Sequence, residues 1–503
     1  MREFLKWMAA SALGTLVGLI AFMTLVGIGT GSLLVLLLAT ASRETEPLMD
    51  PDSVLVLDLS TDIQDAVPPS GASVVLEETL AGTSTEAISI YQAITAIQAA
   101  AEDEDIAGLF IYGNSNEGLA TLGELRAALE TFQTSGKPIL AYEVGWSERD
   151  YYLTSLADTV VLDNTGLLEL NGFEAETQFL SGALNQYGVG VQVLRAGRYK
   201  SAVEPFVRTE NSPEEDAQLN ALLGDLWQDF LSTVADSRDA TPARLQQVAD
   251  AGGIVLAPEA ESLNLVDRLA YYDDVLTELQ TLTGAEPADG EDIPSIDLVA
   301  YSNLVASRQD AQGEVVAIAY AEGEIVLGEG GEGLIGSDSF SRTLRELRLD
   351  EDVKAVVLRI NSPGGSATAS EIIADAVDRL SAEKPVIVSM GNLAASGGYM
   401  MAAGGDRIYA SPTTITGSIG VFGLLLNLQD IANRNGITWD VVKTARFADL
   451  GTIARPQSPE ELALQQTVVD DLYDRFVAIV AEGRDLTIAQ VESVAQGRVW
   501  SGT

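Results

Sequence analysis

From residue 7 to residue 42 the chain carries no charged side chain, a run longer than the ~20 apolar residues that cross a bilayer as a helix. Arg2 and Lys6 precede it, while Glu44, Glu46, Asp50 and Asp52 follow. Positive residues stay on the cytoplasmic side. The pattern therefore predicts a transmembrane anchor over 1–45, with the bulk facing outward into the periplasm or its equivalent. Ala39-Thr40-Ala41 has the look of a cleavage site, so a removed signal peptide is the competing reading. The apolar run is well beyond the roughly 7–15 residues of a signal h-region, and an uncleaved anchor is the expectation. Gly14 and Gly18, like Gly27 and Gly31, have the spacing that lets such helices pack closely.

Beyond the anchor, short Val/Ile/Leu runs alternate with amphipathic stretches. Residues 355–360 and 385–389 read as buried strands. Between them 371–380 reads as a helix with Ile372, Ile373, Ala376 and Val377 on one face. Strand-helix-strand alternation implies parallel sheet with right-handed crossovers. The pattern occurs twice. Lys137-Pro138-Ile139-Leu140 matches Lys384-Pro385-Val386-Ile387 at an offset of 384 − 137 = 247, and 105–111 matches 352–358 at the same offset. Ser212-Pro213-Glu214-Glu215 recurs as Ser458-Pro459-Glu460-Glu461, each a helix start with a serine cap, proline in the first turn and acids at the positive end of the dipole. The expected fold is α/β: two tandem units, 51–282 and 296–503, each a parallel-rich sheet with crossover helices. Residues 283–295, rich in Gly, Pro and acids, read as the linker. Residues 497–503 align with 253–259, after which the first unit continues through 263–269. The second copy reads as truncated there, or as lacking a dispensable last strand.

With 503 residues, the chain exceeds what one core usually supports, and two domains follow. A net charge of −45 argues against nucleic acid or an anionic membrane face as partner. It suits a salty habitat, and equally an ordinary solvated surface. There is no cysteine and no histidine, so Ser-His-Asp, Cys-His and His-dependent zinc chemistry are all closed. The carboxylates show no ligand cluster, and no metal or cofactor is expected.

A serine nucleophile then needs a lysine to take its proton, and there are six: Lys6, Lys137, Lys200, Lys354, Lys384 and Lys443. Ser396 follows a strand and opens a helical stretch, where negative charge is favoured; the bland alternative is a helix-capping serine. Ser362-Pro363-Gly364-Gly365 also joins a strand to a helix. Its paired glycines free backbone N–H groups for an oxyanion, although an ordinary turn would look the same. At offset 247 Ser396 faces Arg149, Gly364 faces Glu117 and Gly365 faces Gly118, so the first unit lacks the nucleophile and the Pro-Gly-Gly turn. Lysine runs the other way, because Lys200 aligns with Ala448. A site made of Ser396 and Lys200 would straddle both units. Lys443 aligns with Arg195 and reads as a solvated charge, while Lys137 and Lys384 are a matched structural pair.

The segments 197–206, 361–365, 390–399 and 416–420 resemble the long, duplicated form of the signal peptide peptidase A (protease IV) family. The resemblance covers nearly the whole chain. It implies a Clp-protease/crotonase-type fold and a homo-oligomeric bowl, a tetramer, anchored in the bacterial inner membrane and open to the periplasm. It implies a serine endopeptidase that degrades released signal peptides. By matching motif, Ser396 is the nucleophile, Lys200 the general base, Gly364, Gly365 and Gly397 the oxyanion hole, and Ser418 the residue that orients the lysine. Two rivals remain: acyl-CoA chemistry of the crotonase kind, and a catalytically silent membrane scaffold.

Overall fold

Two parallel-rich sheets, one from each half of the chain, carry the architecture. The computed structural model describes residues 49–67, 87–285, 293–308, 313–331 and 333–503. The expected anchor over 1–45, including its glycine pairs, lies outside these residues apart from its surroundings after Leu48. Among the described residues no helix is long and apolar enough to cross a membrane.

The first sheet runs in the order Ser295–Asp297, Ser53–Asp58, Ile106–Tyr112, Ile139–Trp146, Thr159–Glu169, Ile254–Leu256, with Arg268–Leu269 also beside Thr159–Glu169. The second runs Val315–Glu322, Val353–Ser362, Val386–Ala395, Ile415–Gly417, Val499–Ser501, with Arg407–Tyr409 also on Val386–Ala395. Within each sheet only the strands Ile254–Leu256 and Val499–Ser501 pair antiparallel. The β-branched runs explain the centre of the second sheet: Val356, Leu358, Ile360, Val386 and Val388 are fully buried, because helices cover a sheet of this kind on both faces. Its crossover helix is Ala367–Ser381, capped by the Ser366 side chain. The buried stripe is Ala369, Ile373, Val377 and Leu380, whereas Ile372 is exposed. A step of one residue turns a helix by about 100°, which carries Ile372 off the face shared with Ile373.

The linker and the start of the second unit differ from expectation. Ser295–Asp297 pairs in parallel with Ser53–Asp58 of the first sheet. The following helix, Leu298–Arg308, buries Leu298 and Tyr301, and the Tyr301 hydroxyl donates to Asp103 at 3.0 Å. First-half structure thus continues to Arg308, and the second sheet opens at Val315.

The repeat is visible in its details. Lys137 Nζ donates to the carbonyl of Ala100 at 2.8 Å and Lys384 Nζ to that of Leu347 at 2.7 Å. Each lysine closes the C-terminal end of an earlier helix, Ile90–Glu102 for Lys137 and Ser337–Leu349 for Lys384, where cations are favoured. Sheet register also corrects the alignment near the site. Leu109 pairs with Ile139 and Val356 with Val386, keeping the offset of 247. Gly145 pairs with Leu167 and Leu393 with Ile415, and 415 − 167 = 248. The second copy has one more residue in this strand, so the counterpart of Ser396 is Glu148 rather than Arg149.

The halves are interlocked. Gly190–Ala196 pairs antiparallel with Val421–Asn427 over its whole length. Asn392 of the second half accepts the N–H groups of Ala120 and Thr121 at 3.1 and 3.2 Å, capping a first-half helix. Arg359 bonds Asp65 and Glu124 across the same boundary. Residues 51–503 accordingly form one compact unit.

Candidate active site

The strand Val386–Ala395 and the helix Gly397–Ala402 meet at a single residue, Ser396, with φ 54° and ψ −119°. A non-glycine residue there is strained, and the bend turns the hydroxyl away from the helix it precedes. Ser396 makes no side-chain cap bond, which removes the capping alternative. Its own N–H is held by the Gly417 carbonyl at 2.9 Å.

The Pro-Gly-Gly turn lies directly against this corner. Gly364 has φ 94°, and a Cβ there would stand 2.6 Å from Gly397 N and 2.8 Å from Ser396 Cβ. A Cβ on Gly365 would meet the Ile325 carbonyl oxygen at 2.1 Å. Ser362 fixes the turn by accepting Gly364 N–H at 3.1 Å and donating to the Gly323 carbonyl at 2.7 Å. The Gly364 N–H is thereby committed, while the N–H groups of Gly365 and Gly397 have no acceptor among the described residues. These two are the donors open to an incoming oxygen.

Lys200 arrives from the first half, just past the strand Gly190–Ala196. Tyr199 N–H is held by the Gln496 carbonyl at 2.8 Å, and Gln218 donates to the Tyr199 carbonyl at 3.2 Å and to Ser201 Oγ at 3.1 Å. Lys200 is 5% exposed. Its Nζ lies 2.9 Å from Ser396 Oγ and 2.8 Å from both the hydroxyl and the carbonyl oxygen of Ser418. Burial pulls its pKa down to about 7, because a desolvated ammonium is disfavoured. An amine that is half uncharged near neutrality, in contact with a serine hydroxyl, can accept that proton; the open N–H groups can hold the oxyanion that results.

The remaining described lysines are elsewhere. Lys443 pairs with Asp449, Lys354 bonds the Glu351 carbonyl, and Lys137 and Lys384 close helices. In the first half, Glu148 stands where Ser396 would be, and its carboxylate accepts the N–H groups of Asn171 and Gly172 at 2.6 and 3.1 Å. The buried Asp150 carboxylate holds the facing turn through Ser115 N–H at 2.7 Å. That corner has no lysine amine to offer, and its Ser147 hydroxyl is spent on the Asp150 carboxylate at 2.6 Å.

Of the six residues singled out in the sequence, Lys200, Gly364, Gly365, Ser396 and Ser418 line one cleft of about 510 Å³, and Gly397 follows Ser396 directly behind it. Sequence reasoning passed over the Ser362 hydroxyl, which it took only as part of a turn, and over Gln218. The repeat held a signal for the second: Gln218 aligns with Leu464 when Ser212 is set on Ser458, another unmatched polar residue.

Residues 131–286 and 378–503 match the description "Peptidase family S49", and residues 307–416 match "Clp protease". "Protease 4" of Salmonella typhi is 35% identical over 465 residues, covering 89% of this chain and 74% of that one. "Protease 4" of Haemophilus influenzae is 35% identical, covering 83% and 69%. "Serine protease SPPA, chloroplastic" of Arabidopsis thaliana is 30% identical, covering 80% and 60%.

Proposed function

The chain belongs to peptidase family S49, and from that premise we propose a membrane-anchored serine endopeptidase with a Ser-Lys dyad that degrades released signal peptides and other apolar segments. Uncharged Lys200 takes the proton of Ser396 as Oγ bonds to the peptide carbonyl carbon. The carbonyl π electrons move to oxygen, and the oxyanion rests on the N–H groups of Gly365 and Gly397, with Gly364 shaping the turn. Collapse of this intermediate expels the amine, which leaves with the proton from Lys200. Water, deprotonated by the same amine, then attacks the acyl carbon, and Ser396 recovers its proton as the acid departs. Ser418 keeps the amine aimed throughout.

The observation that carries this reading is Lys200 Nζ at 2.9 Å from Ser396 Oγ in a dry setting. An apolar substrate is supported by the cleft wall, where Ala202, Pro363, Phe422 and Val499 face the dyad. The uncharged run over 7–42 supports anchoring in a bacterial inner membrane with the cleft on the periplasmic side. A homo-oligomer is supported by an exposed strip containing Ile437, Trp439, Val441 and Val442, the last 97% exposed, since apolar patches of this kind mark interfaces.

The test is a serine-reactive acylating probe on the full chain, with turnover of an apolar peptide alongside. An adduct on Ser396 that needs Lys200 is the expected result. Near-normal peptidase activity in Lys200→Ala sinks the dyad, absence of any adduct favours a silent scaffold, and turnover of a CoA thioester favours the crotonase-type rival.

A further inference from the structure

Among the described residues, the catalytic cleft is lined by two side chains of the charged types, Lys200 and Glu324. Lys200 belongs to the dyad. Glu324 has no part in it, because burial alone draws the lysine's pKa down and no carboxylate acts on the amine. The Glu324 side chain is exposed, and its carboxylate has no hydrogen-bond or ion-pair partner among the described residues.

Local structure aims this acid. Gly323, at φ 96°, turns the chain out of the strand Val315–Glu322 and into the short strand Glu324–Val326. A side chain at 323 would run into the Gly333 carbonyl, and the Gly323 carbonyl accepts Ser362 Oγ at 2.7 Å. Ile325 then docks on the oxyanion turn. Its N–H donates to the Gly364 carbonyl at 2.9 Å, and its carbonyl accepts Ser366 N–H at 2.8 Å. Successive side chains of a strand point to opposite faces. Ile325 is fully buried, with its side chain toward Gly397, so Glu324 takes the other face and reaches the cleft. In the neighbouring strand Leu334 stands opposite Glu324, and its apolar side chain is exposed. The carboxylate therefore sits at a seam between two apolar surfaces: Pro363, Phe422 and Val499 within the cleft, and Leu334 outside it.

We propose that Glu324 is a specificity-determining residue, which takes a lysine or arginine side chain bordering the apolar run of the substrate. The inference rests on the signal-peptide reading and deepens it. Such peptides set a positively charged n-region against an apolar h-region of roughly 7–15 residues, and the cleft presents the complement, an acid beside apolar walls. The apolar run lies along Phe422 and Val499. The cation reaches the carboxylate at the rim, with its methylenes over Leu334. This contact is made on binding and is unchanged in the transition state, so it lowers KM and leaves kcat alone.

The test is a synthetic apolar peptide carrying one lysine at successive positions, with norleucine in its place as the uncharged control. At one position beside the apolar run, lysine lowers KM roughly fivefold against norleucine, and the advantage fades at about 1 M salt. Glu324→Gln abolishes the advantage, while its pH–rate profile and the acylation of Ser396 by a small probe stay as in the wild type. Glu324→Lys reverses the preference. Glu346→Gln, which removes an exposed acid of the helix Ser337–Leu349, leaves it intact. An advantage that survives in Glu324→Gln, that Glu346→Gln reduces equally, or that is the same at every position belongs to the net charge of −45 and overturns the assignment. A wild type indifferent to lysine at every position, with Ser396 still acylated, overturns it while leaving the peptidase standing. Failure of the probe to acylate wild-type Ser396 overturns both.

Discussion

Ser418 holds the amine of Lys200 twice, with its hydroxyl and its carbonyl oxygen each 2.8 Å from Nζ. The residue has φ 53°, and its N–H is fixed by the Arg498 carbonyl at 2.7 Å. Ser418→Ala removes one of the two holds and leaves the backbone one. A hydrogen bond of this sort contributes roughly 1–2 kcal/mol, so kcat falls about tenfold with KM little changed. Because the hydroxyl bonds the ammonium more strongly than the amine, its loss also moves the acid limb of the pH–rate profile to lower pH. An unmoved profile with unchanged kcat would remove Ser418 from the positioning role.

The lysine itself sets the pH dependence. With its pKa drawn down to about 7 by burial, kcat/KM rises with pH through about 7 and levels off above. Stability follows the same group. In the unfolded chain the lysine keeps its ordinary value of 10.5, so between about 7 and 10.5 the unfolded state binds more protons and stability increases with pH. Lys200→Met removes this cost. The variant is inactive yet more stable at pH 7, by at most about 5 kcal/mol, and the gain shrinks toward pH 10. Urea unfolding at the two pH values checks it.

Backbone strain at Ser396 separates two inactive variants. Ser396→Ala keeps a Cβ at φ 54°, whereas Ser396→Gly relaxes it. The glycine variant is expected to unfold at the higher urea concentration, by about 1 kcal/mol, despite losing the same hydroxyl. Equal midpoints would show that the corner is unstrained.

The meeting of Lys200 with Ser396 was legible because each half of the repeat lost what the other kept, and a chain without histidine left lysine as the candidate base. What stayed hidden depended on partners far away in sequence. The strand read as 385–389 runs to Ala395 because Asn392, polar and mid-strand, spends its amide on Ala120 and Thr121 of the other half. Ser295–Asp297 looked like linker, since three residues beside acids show no period; their pairing with Ser53–Asp58 crosses most of the first half. The extra residue that sets Glu148 rather than Arg149 opposite Ser396 is a matter of sheet register, which an ungapped alignment does not contain.

Arg359 joins the halves behind the oxyanion turn and gives a test of their coupling. Its Nε lies 2.6 Å from Asp65 Oδ1, and its Nη1 lies 2.7 Å from Glu124 Oε1 and 2.9 Å from Ser389 Oγ. Asp65 is 5% exposed. Burial raises the carboxyls of Glu117, Glu124 and Glu322 above the usual range, with Asp65 adding to the rise for each. Arg359→Met leaves Asp65, Glu124 and Glu322 without their cation, and uncovering a buried charge costs roughly 3–5 kcal/mol. A carboxyl whose folded pKa is raised favours the folded state below its unfolded value and loses that contribution as pH rises through the folded one. Removing Arg359 raises Glu124 and Glu322 further, so the variant loses stability more steeply than the wild type from pH 5 to pH 7. Asp65→Asn in the same chain recovers part of the loss. Parallel stability curves for the variant and the wild type would mean that Arg359 is merely packed between the halves and does not balance their charge.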